Sequence, residues 1–236
     1  MKIGKLFIGL SMALIVGFVS AVALCFRALN SAQAVAAVEA EMRIVVDAGH
    51  GGVDGGVVGK TTGIKESDIN LAIAHFLCAE LTDIGFEVVM TRKTEAGLYG
   101  AATKGFKKRD MQQRKEIIAE ANPDLVLSIH QNFYPTKAAR GGQVFYRKEN
   151  QASKMLALAV QGRLNDLYLD KGVKNRVAKT GEYFMLECCA CPSVIVECGF
   201  LSNAADEELL TSEGWQKRLA QNIAAGVVAY FANSVA

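Results

Sequence analysis

An α/β fold with a largely parallel sheet is what this sequence predicts, on three observations. Short apolar runs, several of them β-branched, alternate with longer stretches whose apolar positions recur three or four residues apart. The runs stop at Asp, Gly, His or Asn, the residues that end a buried strand rather than continue a helix. A chain of 236 residues with 51% apolar side chains and three prolines fits one globular domain of ordinary size. That composition excludes a disordered, collagen-like or disulfide-scaffold protein.

The elements follow in order. Met42–Val46 reads as a strand bounded by Asp47-Ala48-Gly49. Ser67-Asp68 reads as a helix start. Ile69, Ile73, Phe76, Leu77, Leu81 and Ile84 then recur at helical spacing, and Gly85 ends the helix. Phe86–Thr91 is a strand. Asp110–Ala121 is a helix with Ile117, Ile118 and Ala121 on one face. Leu125–Ile129 and Gln143–Arg147 are strands, and Ala152–Leu169 is a helix built on Leu156, Leu158, Val160, Leu164 and Leu167. Ser193–Glu197 is a strand, and Trp215–Phe231 closes the chain as a helix.

The first forty residues are of another kind. Lys2 and Lys5 precede Leu6–Cys25, twenty residues without a charge, and Arg27 follows. As a helix such a run is about 30 Å long, the thickness of a bilayer core. Ala32-Gln33-Ala34 offers a small-residue cleavage site. Residues 1–40 are thus expected to be a membrane anchor or signal segment with a short Ala-rich tether. In either form the body from residue 41 to 236 lies outside the cytoplasm.

Residues 1–40 hold three basic side chains and one acidic, leaving 23 of each sign in the body. A body of zero net charge has no broad basic footprint for nucleic acid. It also holds five cysteines, Cys78, Cys188, Cys189, Cys191 and Cys198, an odd number that makes no closed disulfide framework. The Cys188-Cys189-Ala190-Cys191 cluster lacks the second pair of a structural zinc site and reads as small side chains beside a strand. One disulfide within the group is compatible with an extracytoplasmic setting.

Chemistry collects at the carboxyl ends of parallel strands. The first strand runs into Asp47-Ala48-Gly49-His50-Gly51-Gly52, the strand from Leu125 into His130-Gln131-Asn132, and the strand from Ser193 into Glu197-Cys198-Gly199. Glu66 stands where a loop meets the first helix. Taken singly, each has an ordinary reading: a hydrogen-bonding His, a first-turn acid favoured by the helix dipole, a paired carboxylate. Together they are more. Two imidazoles and one carboxylate are the ligand set of a catalytic zinc site with an open position, and a further carboxylate is the base such a hydrolase needs. His75, mid-helix, reads as structural or surface. The glycines at 49, 51 and 52 lack the GKS ending or GxGxxG pattern of a nucleotide site, and leave room for backbone to approach an ion or substrate.

Val45-Val46-Asp47-Ala48-Gly49-His50-Gly51-Gly52 with Glu66, Ser128-Ile129-His130 with Asn132, and Val196-Glu197-Cys198-Gly199-Phe200-Leu201-Ser202-Asn203 resemble the zinc-dependent N-acetylmuramoyl-L-alanine amidases of bacterial cell walls. Thr91-Arg92 and Arg114 match family positions too, and the resemblance covers essentially all of 42–232. It implies a six-stranded sheet flanked by helices in one catalytic domain over 41–236, zinc held by His50, Glu66 and His130, and Glu197 as catalytic carboxylate. Gln131 and Cys198 depart from the common residues, and neither replaces a ligand. The short leader and lack of wall-binding repeats are most similar to spore-cortex amidases of endospore formers. That implies peptidoglycan as substrate, removal of stem peptides on the way to muramic δ-lactam, and an activating partner protein. The alternatives are a non-catalytic wall-binding or activator module, and a zinc peptidase acting within the stem peptide.

Overall fold

A computed structural model describes residues 42–136 and 138–234. The expected leader lies outside them; among the described residues no helix is long and apolar enough to cross a membrane.

The elements run in chain order as β1 (Arg43–Ala48), α1 (Glu66–Ile84), β2 (Glu87–Met90), α2 (Phe106–Ala121), β3 (Leu125–Asn132), β4 (Gln143–Tyr146) and α3 (Gln151–Leu169). Then come β5 (Lys179–Thr180), a 3₁₀ turn (Phe184–Glu187), β6 (Ser193–Phe200), α4 (Ala204–Leu210) and α5 (Glu213–Ser234). The six strands form one sheet in the order β2-β1-β3-β6-β4-β5. β2, β1, β3 and β6 are mutually parallel, and β4 runs antiparallel to β6. The predicted α/β class and largely parallel six-stranded sheet are the observed ones.

Strand periodicity divides the molecule into two layers. Ile44, Val46 and Ala48, with Leu125, Leu127, Ile129, Val194 and Val196, face the larger core, under α1, α3 and α5. The alternate residues Val45, Val126 and Ile195 face a smaller one, closed by Ile118 of α2 and by Met185 and Leu186 of the turn. Side chains alternate faces along a strand with period two. Asp47, Ser128, His130 and Glu197 therefore share the smaller face, just beyond its apolar floor.

Several elements differ from expectation for identifiable reasons. α2 begins at Phe106, four residues earlier than expected; after Phe106 its first turn, Lys107-Lys108-Arg109, is basic, so it carries no apolar period to read. Its buried stripe is Asp110, Arg114, Ile118 and Ala121, charged at one end, and Ile117 is only half-buried. Leu158 does not belong to the face of α3. Leu156, Val160, Leu164 and Leu167 are buried, whereas Leu158 sits about 200° around from Leu156 and is 48% exposed. β3 and β6 extend past their apolar runs, so His130 and Glu197 lie within strands. β5, the 3₁₀ turn and α4 are too short to show a period. Cys189 and Cys191 form a disulfide, leaving Cys78, Cys188 and Cys198 free.

Candidate active site

Three strand ends and one helix start build the site. β1 delivers Asp47 and, two residues past its end, His50. Val46 of β1 pairs with Leu127 of β3, and His130 of β3 pairs in register with Glu197 of β6. Neighbouring strands lie about 4.8 Å apart, so the His130 and Glu197 side chains rise together from one face. Glu66 is the first residue of α1, where the helix dipole favours a carboxylate.

His50, Glu66 and His130 converge: one ligand atom of each lies within 4.8 Å of the others. Glu66 Oε1 is 2.9 Å from His130 Nδ1 and 3.3 Å from His50 Nε2. Donors around a tetrahedral zinc at 2.0–2.1 Å stand about 3.3 Å from one another, so the two Glu66–histidine spacings suit that ion, as does the chemistry of the set. The carboxylate is locked in place. Oε1 also accepts from the Gln131 and Asn70 side of the pocket, at 3.1 Å from the Gln131 N–H and 3.3 Å from Asn70 Nδ2, and Oε2 accepts the Val57 N–H at 2.9 Å. Burial alone would raise the Glu66 pKa, but hydrogen bonds from His130 and His50 win and hold it well below the usual range. Burial likewise disfavours a charged His50, yet Glu66 and Asp54 outweigh it and raise the imidazole pKa.

Glu197 stands apart from this set. Its Oε2 is buried and has no hydrogen-bond partner among the described residues. Burial first, with Glu66 adding, pushes the carboxyl up to about 7 against the opposing pull of His130 and His50. A carboxyl raised this far is poised to take up and return a proton near neutral pH.

Beneath the His50 loop lies a buried charge network. Asp47 Oδ1 accepts from Arg114 at 2.5 Å and from the Thr91 hydroxyl at 2.7 Å, and Oδ2 accepts from Ser128 Oγ at 2.6 Å. Arg114 also donates to the Ala48 and His50 carbonyls at 2.8 and 2.5 Å and to Asp110 at 2.7 Å. Arg92 donates to Ala48, Gly49 and Ser67 carbonyls at 2.8 to 3.0 Å. Two guanidinium groups thus grip the carbonyls of residues 48–50, while His50 takes a left-handed backbone, φ 61°. Gly49 is required for a different reason than ion access: a Cβ there would collide with the His130 ring.

All four predicted site residues line one open cleft of about 480 Å³. Lys107, Met111, Phe133, Tyr183, Phe184 and Met185 form further walls. Sequence reasoning passed over these walls, and also Asp54, whose side chain reaches His50. Asp54 had one readable signal, its place four residues after a His in a Gly-rich turn. Tyr183 and Phe184 had none, because they come from a loop and the 3₁₀ turn. His75 is exposed and lies 3.2 Å from the Lys93 carbonyl, in keeping with a surface role.

Fold and site define a class: an α/β domain with a metal-capable His–Glu–His group beside a buried carboxylate at the carboxyl edge of its mostly parallel sheet. Residues 44–229 match the N-acetylmuramoyl-L-alanine amidase family, and the chain belongs to that family and is an enzyme of that kind. It is 31% identical over 194 residues to the germination-specific N-acetylmuramoyl-L-alanine amidase of Bacillus subtilis, spanning 80% of this chain and 79% of that one. Among solved structures it resembles the CwlD amidase from Clostridioides difficile in complex with the GerS lipoprotein, with a TM-score of 0.77 and 35% identity. That match covers 82% of this chain and all of the other. The catalytic domain of CwlV from Bacillus (Paenibacillus) polymyxa var. colistinus follows, with a TM-score of 0.69, 30% identity and coverage of 81% and 98%.

Proposed function

We propose that the chain hydrolyses, with zinc, the amide that joins the lactyl carbonyl of N-acetylmuramic acid to the L-alanine of the peptidoglycan stem. One observation carries this reading: His50, Glu66 and His130 meet within 4.8 Å in the cleft that also holds the buried carboxylate of Glu197. In it, His50, Glu66 and His130 hold the metal. Zinc, when bound, supplies a Lewis acid for the amide carbonyl and lowers the pKa of water toward ~7. Glu197 takes the proton of the attacking water and delivers it to the leaving nitrogen of L-alanine. Its raised proton affinity suits both halves of that transfer. Arg92 and Arg114 keep the His50 backbone in place through the cycle.

The similarity to a germination-specific amidase supports a finer reading, in which stem peptides are removed on the way to muramic δ-lactam in spore cortex. In this account residues 1–40 anchor or export the chain, residues 41–236 are the catalytic domain, and the enzyme works outside the cytoplasm. The CwlD relative is in complex with a lipoprotein, which supports an activating protein partner for this chain as well.

The test is digestion of purified cortex and vegetative peptidoglycan with and without added zinc, with products read by mass spectrometry. The reading expects released peptides that begin with free L-alanine, and peptide-free muramic acid, only when zinc is present. Shortened peptides still attached to muramic acid would instead identify a peptidase. No product from the zinc-loaded protein, with extract of sporulating cells added, would identify a binding module.

A further inference from the structure

The Gly-rich turn after β1 brings a carboxylate to the outer side of the His50 ring. Asp54 stands four residues after His50, across a turn closed by backbone pairing of Gly51 with Asp54. Its Oδ2 lies 3.1 Å from His50 Nδ1, and its Oδ1 lies 3.2 Å from Lys107 Nζ in the first turn of α2. The other nitrogen of the same ring, Nε2, faces Glu66 Oε1. A neutral imidazole carries one proton, so a ring that gives Nδ1–H to a carboxylate presents its lone pair at Nε2. We infer that Asp54 is a positioning residue, fixing His50 in the tautomer and orientation that aim Nε2 at the metal, with Lys107 holding the carboxylate from the cleft side.

The inference rests on the zinc reading above and adds to it a residue outside the His50, Glu66 and His130 group. Its physical basis is general: a metal-binding histidine whose other nitrogen donates to a carboxylate is oriented and made more basic by it. Asp54 suits the role because its side chain is only 22% exposed, whereas that of Lys107 is 67% exposed. Solvent screening therefore leaves Lys107 the smaller share of the effect.

The experiment measures zinc affinity of the full chain by competition with a chromophoric chelator, for wild type, Asp54→Ala, Asp54→Asn and Lys107→Ala. Asp54→Ala is expected to weaken zinc binding by roughly 10- to 100-fold, with thermal unfolding of the zinc-free protein unchanged. Asp54→Asn keeps an oxygen that accepts from Nδ1–H and recovers most of the affinity. Lys107→Ala lowers affinity less than Asp54→Ala does. Nitrogen-15 NMR of the zinc-loaded wild type should place the His50 proton on Nδ1, a readout that stands even if Asp54→Ala does not fold. Equal affinity in wild type and Asp54→Ala, or a His50 proton on Nε2, overturns the inference. A wild type that takes up no zinc overturns the metal reading itself, so the two failures are distinct.

Discussion

Asp47 and Arg114 show how much of this site is held together by buried charges. Both are almost fully buried, and together they tie β1, β3, α2 and the His50 loop. Removing one partner of a buried pair strands the other charge without water, at a cost of about 3–5 kcal/mol. Arg114→Met should lower stability by that order in urea unfolding and should release the His50 carbonyl. Asp47 also sets an acid limit. Burial works to raise its pKa, but Arg114 outweighs burial, with Ser128 and Thr91 assisting, and holds the carboxyl at about 2, against an ordinary value of 3.8. The unfolded chain therefore takes up this proton at higher pH than the folded one. Asp47's stabilisation is full above its unfolded pKa and disappears as pH falls through the folded one. Between about pH 4 and 2, unfolding free energy should fall less steeply in Asp47→Asn than in wild type; equal slopes would contradict the assignment. The residues legible in sequence were His50, His130 and Glu197, an imidazole or a charge at or just past the end of an apolar run, and Glu66, a carboxylate where a loop meets a helix. Asp54 and Lys107 were not, because their partners are fixed by a turn and by a helix start that carries no apolar signal. The odd number of cysteines left the Cys189–Cys191 pairing open for the same reason: spacing does not decide between neighbours.

At the scale of elements, α3 separates what periodicity can and cannot tell. Its start is marked by Asn150, whose side chain accepts the Ser153 N–H at 2.9 Å and so satisfies one of the helix's free donors. Its buried stripe packs against α5 and the sheet, and Leu156 is fully buried within it. Leu156→Ala should cost about 2–5 kcal/mol, through lost burial and the cavity left behind. Leu158→Ala, at an exposed position, should stay within about 0.5 kcal/mol. Chemical denaturation of the two variants checks this contrast, and comparable losses would mean that α3 packs on a different face. The same reasoning explains α2. An apolar period locates the turn of helix that covers a core, whereas here half of the buried stripe is Asp110 and Arg114. Those residues are buried because they pair with each other and with Asp47, and no hydrophobic pattern announces that.

Across the whole molecule, sheet periodicity decides where the chemistry sits. One face of the sheet is spent on a deep apolar core under three helices. Among the described residues the other is covered by α2 and the 3₁₀ turn, and this thinner cover leaves the cleft open. Along that face β3 passes from apolar floor to polar network to imidazole through Val126, Ser128 and His130, and β6 passes from Ile195 directly to Glu197. A slip of one residue in any of these strands would turn its functional side chain into the opposite core. Register is thus as much a part of the site as the side chains are; these runs are apolar on both faces, so the sequence located the strands and not their register. The walls of the cleft were not legible either, since they come from the loops and turns that only the fold assembles. The central claim is that three of the converging groups hold the ion while Glu197 moves the proton. It is tested most directly by measuring bound zinc and peptidoglycan hydrolysis together in wild type and Glu197→Gln. The account predicts about one zinc per chain in both proteins and release of stem peptides by the wild type alone. Near-normal hydrolysis by Glu197→Gln, or loss of its zinc, would contradict it.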